Sequence, residues 1–234
     1  MSRSTLASAV RLRRISLALL VASPWVLTAC GGGGGDAGTP LSQTYNLDAA
    51  ITQALAKPTQ IGPLTTTFQN VVFNLTMTLA PAPDMVFEGV THKSNLQTIT
   101  MTGGNANTAT SSTLYFKTGP YFGSGSLDVD GSYTVSVRTG DLPTAAAVGA
   151  SGLLSTDTVY ANATKALVTA TAVTTWSLEA DTATTVLACL NSVVTERSPP
   201  DVSGQKVCFR INAAGDVAGG RIVITGSGIT LDFR

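Results

Sequence analysis

This sequence predicts an all-β fold, a single sandwich or half-open barrel of antiparallel strands preceded by one short N-terminal helix. Three observations lead there. Val71, Phe73, Leu75, Met77 and Leu79 alternate with asparagine and threonine, the period of two expected of a strand with one buried face. Turn signals recur at short intervals, at Gly103-Gly104-Asn105, Asp130-Gly131, Ala214-Gly215-Asp216 and Gly226-Ser227-Gly228. Threonine, whose branched side chain suits a half-buried pleat, is abundant throughout. A chain of 234 residues with a hydrophobic fraction of 44% can bury a substantial core.

The elements follow in chain order. Asn46 can cap a helix in which Leu47, Ile51 and Leu55 recur every four residues until Pro58 stops it. After the strand at 71–79 come strand-like runs at Leu114-Tyr115-Phe116 and at Tyr133, Val135 and Val137. Asp130-Gly131 supplies the turn before the second of these. Residues 161–172 are alanine-rich with three threonines, so helix and strand both stay open there. Val207, Phe209 and Ile211, then Ile222 and Ile224, then Ile229, Leu231 and Phe233 close the pattern. Ser198-Pro199-Pro200-Asp201 reads as an exposed loop. With no internal repeat and no long linker after residue 46, residues 46–234 form one β-rich domain.

Composition excludes several classes of function. A formal net charge of 0, with 12% charged residues, argues against a disordered chain and against a nucleic-acid binder. One histidine is too few for a multi-histidine metal site.

The N-terminus is an address. Arg3, Arg11, Arg13 and Arg14 form a basic region without acids, and ISLALLVASPWVL at 15–27 is apolar but too short for a spanning helix. Leu27-Thr28-Ala29-Cys30 follows, then Gly31 to Gly35. The segment resembles a bacterial lipoprotein signal, cleaved before a cysteine that is then acylated. That resemblance implies a leader at 1–29, lipidation of Cys30, and a Gly-rich tether at 30–45. Glycine rather than aspartate after the cysteine implies the outer membrane, on its periplasmic face or at the cell surface. As a flexible coil, the tether would hold the domain about 20 Å from the bilayer. Cleavage leaves ten basic residues against 14 acids, so the mature chain is mildly acidic and not drawn to phosphate backbones.

A cysteine followed by a glycine run also resembles betaproteobacterial envelope lipoproteins. So do Tyr45-Asn46-Leu47-Asp48-Ala49-Ala50, Trp176-Ser177-Leu178-Glu179-Ala180-Asp181-Thr182-Ala183 and Cys208-Phe209-Arg210-Ile211-Asn212. This resemblance implies a single domain and carries no catalytic residue with it. The cysteines left after lipidation, Cys189 and Cys208, pair as one disulfide in an oxidising compartment, since they lack the Cys-x-x-Cys spacing of a redox site.

Few residues suggest chemistry. His92, in Thr91-His92-Lys93-Ser94, reads as a surface-loop histidine. Gly149-Ala150-Ser151-Gly152 misses the nucleophile-elbow spacing by one residue. Asp128, Asp130 and Gly131 fit part of a calcium loop, though a hairpin turn explains the same residues. Glu88, Glu179 and Asp181 are the acids a glycoside hydrolase would need, and Asp181-Thr182 reads more simply as a turn. Tyr115, Phe116, Tyr121 and Phe122 form the densest aromatic cluster, either a contact surface at a hairpin tip or strands packing into the core. Trp176 reads as a core anchor.

The sequence therefore leads to a lipid-anchored envelope protein without catalytic residues, metal or cofactor, which binds another envelope protein or supports an assembly. The alternatives are a carrier of an apolar ligand in a barrel-like cavity and, more remotely, a hydrolase. Its partners are the membrane, through the lipid, and another envelope protein, with no nucleic acid; its oligomeric state is not written in the sequence.

Overall fold

The computed structural model describes residues 43–104 and 106–234. The leader at 1–29, the lipidation site Cys30 and most of the tether lie outside the described residues. The chain runs β1 (Thr44–Tyr45), α1 (Leu47–Ala56), β2 (Thr59–Phe68), β3 (Val71–Phe87), β4 (Val90–Gly103) and β5 (Ala106–Lys117). It continues through β6 (Phe122–Asp128), β7 (Tyr133–Arg138), β8 (Ala146–Ala147), β9 (Ser151–Tyr160) and β10 (Val168–Ala180). Last come β11 (Thr185–Arg197), β12 (Pro200–Asn212), β13 (Val217–Gly226) and β14 (Ile229–Phe233).

Apart from the short β1–β8 pair, the strands form one 12-stranded antiparallel sheet in which almost every strand lies beside its sequence neighbour. The sheet curls until its edges meet: Thr65 N–H donates to Arg234 O at 3.0 Å, and Arg234 N–H to Thr65 O at 3.2 Å. Curling pairs the two edges that an open sheet would leave bare, so of the two β architectures the sequence allows, a nearly closed barrel is formed. Of 161–172, residues 161–167 make the connection and the strand begins at Val168. The expected turns at Asp130-Gly131 and Asp181-Thr182 lie between β6 and β7 and between β10 and β11.

α1 seals one end of the barrel. Asn46 Oδ1 accepts from Ala49 N–H at 2.9 Å, the N-cap its side chain suggests. Leu47, Ala50, Ile51, Ala54 and Leu55 lie on one face, and all join the barrel's main core with Ile61, Leu75, Met77, Leu178, Ile211 and Phe233. Each large side chain on that face contributes on the order of 2 kcal/mol by leaving water. Two side chains tie the helix to the loops and walls: Asp48 Oδ1 accepts from Tyr121 N–H at 2.6 Å, and Asn95 Nδ2 donates to Leu55 O at 2.7 Å. Thr59 Oγ1 donates to Ala54 O at 2.8 Å and finishes the last turn ahead of the extended Lys57-Pro58 step.

The β3–β4 hairpin is longer than the barrel wall. Its register slips between Ala82 and Met85, and its end folds over the outer face of β5, β6 and β7 as a flap. Phe87 stacks on Tyr115 with ring centroids 4.4 Å apart and lies 5.2 Å from Tyr133. The flap needs Gly125: a Cβ there would stand 2.5 Å from Phe87 Cζ and 2.1 Å from Thr134 O.

Candidate functional site

Alternation along the strands sorts each candidate to one wall face, and of the two readings of the aromatic cluster burial supports packing over a contact surface. Tyr115 and Phe116 are neighbours and so point oppositely: Phe116 enters the main core, while Tyr115 lies under the flap. Tyr121 reaches the interior from the β5–β6 connection, 6.2 Å from Phe116. Three of the four aromatics are thus buried, and only Phe122 keeps partial exposure, with the Arg138 guanidinium 5.7 Å from its ring.

His92 is corrected. It is on β4, 6% exposed, not on a surface loop; Phe87 meets it edge-on at 5.7 Å and its Nδ1 lies 2.8 Å from Val90 O. The apolar flap it belongs to explains its burial. Trp176 is half-buried on the inner face, over Gly152, where a Cβ would fall 2.7 Å from the indole nitrogen.

The acids a hydrolase would recruit are engaged elsewhere. Glu88 accepts from Tyr133 Oη at 2.8 Å and pairs with Lys165 at 2.6 Å, and these bonds hold its carboxyl below the usual range. Burial and Glu88 together raise the Tyr133 phenol. Asp181 is lowered by its Arg210 partner, with Nε–Oδ2 at 2.6 Å, and by Thr185. Glu179 pairs with Lys206 and lies 3.8 Å from Arg221, which in turn holds Asp232 at 2.7 Å. Asp130 Oδ1 accepts from Ser132 N–H at 2.9 Å, a turn contact that accounts for its position without calcium.

This charged lattice spans the outer face of β10 to β14 and lies over the cysteines. Cys189 and Cys208 are register partners on β11 and β12, joined as a disulfide and buried with Leu187. Among the described residues, Glu179 and these two cysteines make the one group of three close enough to share a metal ion, and the sulfurs are already bonded to each other.

Next to it the outer face changes character. Val137, Thr156, Val173 and Val193 are successive register partners across β7, β9, β10 and β11. Val137 is 61% exposed, Val173 43% and Val193 39%. Thr158, Thr171 and Thr195 flank the row along a groove of about 330 Å³. A second groove of about 380 Å³ lies farther along β9, β10 and β11, past Thr175, Ser177 and Asn191, and reaches Lys206 of the charged lattice on β12. Uncharged β-branched side chains thus cover four adjacent strands, where charged pairs cover the neighbouring ones.

Inside, the wall behind that row is polar. Ser136 and Asp157 are register partners, and so are Ser155 and Thr174, all on the inward face. Thr174 Oγ1 donates to Asp157 Oδ2 at 3.1 Å. Asp157 Oδ1 and Ser124 Oγ are buried without a hydrogen-bond partner among the described residues. An orphaned buried polar atom costs about 1–3 kcal/mol, so each needs a physical reason. The Tyr121 phenol, which burial foremost pushes up to about 12, lies against β6, where a Cβ on Gly123 would stand 3.1 Å from its oxygen.

Neither the Val–Thr row nor Asp157 stands out in the sequence, because both depend on strand register. The alternation in Thr156-Asp157-Thr158-Val159 and Thr171-Ala172-Val173-Thr174 is the signal that could have found them. Compared with known proteins, the chain matches no family model, no curated protein and no solved structure.

Proposed function

We propose that this chain is a lipid-anchored, non-enzymatic module of the bacterial outer membrane that docks a partner protein through the outer face of β7, β9, β10 and β11. The observation that carries the reading is the row Val137–Thr156–Val173–Val193, three exposed valines and a threonine set side by side on a rigid wall. Association there removes apolar area from water with few charges to desolvate and little side-chain entropy to lose, because β-branched side chains are already stiff. The lipobox ending at Cys30 supports the address, and the commitment of Glu88, Glu179 and Asp181 to ion pairs supports a role without catalysis.

Carriage of an apolar ligand is the weaker alternative. Leu47, Ile51 and Leu55 of α1 pack into the apolar part of the barrel that such a cargo would occupy. The test replaces Val173 and Val193 by aspartate in the full-length chain, purified in mild detergent from its own envelope. Both side chains point to solvent, so the folded state should tolerate the change. The wild type is expected to elute with a stoichiometric second protein, and the double variant alone at unchanged thermal stability. Equal co-elution by both would remove this face from the account.

A further inference from the structure

The inner wall behind that face carries a second, independent feature. We propose that Asp157, with Ser124, Ser155 and the Tyr121 phenol, forms a binding site inside the barrel for a small monovalent cation, either an ammonium group or an alkali ion.

The Asp157 carboxylate stands in an unusual place. Asp157 is 9% exposed and faces inward, and among the described residues no lysine or arginine pairs with it. Thr174 satisfies Oδ2, while Oδ1 has no donor. A buried carboxylate with a bare oxygen is strongly unfavourable unless a positive group reaches it.

The surroundings suit such a group. Ser155 and Ser124 are buried hydroxyls; Ser124 adjoins Gly125, the register partner of Val135, so it lies on β6 beside the β7 strand that carries Ser136, and its Oγ is likewise without a partner among the described residues. Ser155 is the register partner of Thr174, and Ser136 that of Asp157, so hydroxyl oxygens flank the carboxylate on the same face. A hydroxyl keeps two lone pairs for a cation whatever its proton does. The Tyr121 phenol, on the loop that Asp48 of α1 holds in place, stands beside Gly123 and so next to Ser124 on β6, where a Cβ on Gly123 would lie 3.1 Å from its oxygen.

Charge decides the class of ligand. Arg138, the β7 register partner of Ser155, is paired with Asp141, which leaves one carboxylate among neutral oxygens to balance one positive charge. A divalent ion generally collects several carboxylates, and no group of three acids, histidines or cysteines converges at Asp157 among the described residues.

The test is thermal unfolding of the full-length chain in detergent, with methylammonium, potassium or sodium chloride added at constant ionic strength. Tetramethylammonium chloride, which has no N–H to donate, makes up the balance. A saturable rise in Tm with at least one of the three is expected, because a ligand that binds only the folded state stabilises it. A rise with methylammonium alone identifies the ammonium form, and a rise with potassium or sodium alone the alkali form. Asp157→Asn keeps the shape and the acceptor for Thr174 but loses the charge, and should weaken the response roughly tenfold or more. Asp84→Asn, which removes an exposed acid on the flap, should leave it intact. Identical Tm values in all salts overturn the proposal, as does a full response from Asp157→Asn. Should Asp157→Asn not fold, the wild-type salt series still decides, and Ser124→Ala should show a weaker response.

Discussion

Asp232 accepts from Arg221 Nε at 2.7 Å and from Arg234 at 2.7 Å, and these partners, Arg221 foremost, lower its pKa to about 2 from an ordinary value near 3.8. A depressed acid contributes stability that is fully present above its unfolded pKa and is lost as pH falls through the folded one. The contribution should therefore disappear between about pH 4 and pH 2. Its size is at most about 2 kcal/mol, and less after allowance for solvent screening of a part-exposed pair. Asp232→Asn should lower stability at neutral pH and flatten that acid limb, as measured by denaturant unfolding at a series of pH values. An unchanged limb would mean that the pair is not formed. At this scale the sequence is legible where chemistry is local: Asn46 caps α1, and Asp130-Gly131 turns the chain. It is silent where burial depends on distant strands. His92 sits in a polar tetrapeptide, yet Phe87 and the flap bury it, and Asp157 gains its isolation only from β7 and β10.

Among the elements, the flap is the least expected. Val71 to Leu79 announces a strand, but nothing in the alternation says that β3 runs on to Phe87 and turns back over the barrel. What fixes it is Phe87 in the space left by Gly125, with Glu88 bonded to Tyr133 and Lys165 beside it. Phe87→Ala should therefore release the flap without melting the barrel. Losing a buried phenylalanine costs about 3–5 kcal/mol, so amide exchange in 82–93 should accelerate by roughly a hundredfold or more while β10 to β12 keep their protection. Acceleration spread evenly over all strands would show instead that the flap and barrel unfold as one unit. α1 is the contrasting case, because its period-four apolar residues and Pro58 predict an element that the structure contains at Leu47–Ala56.

For the molecule as a whole, alternation and turn signals predict antiparallel strands, and closure is what they leave open. A sandwich and a barrel bury the same alternating faces; the contact of Thr65 with Arg234 distinguishes them, and it joins residues from opposite ends of the domain. Closure divides the wall into regions of different chemistry: an apolar interior sealed by α1, a polar inner stretch at Asp157, a charge-paired outer face over Cys189–Cys208, and the neutral row from Val137 to Val193. The functional account depends most on the last of these. Its most direct test is site-specific photo-crosslinking in living cells, with a photoreactive residue at position 173 or, on another wall, at the still more exposed Val72 of the full-length chain. One discrete crosslinked partner is expected from position 173, lost when Val193 is replaced by aspartate, and none from position 72. No adduct at 173, or the same adducts from both positions, would contradict the account.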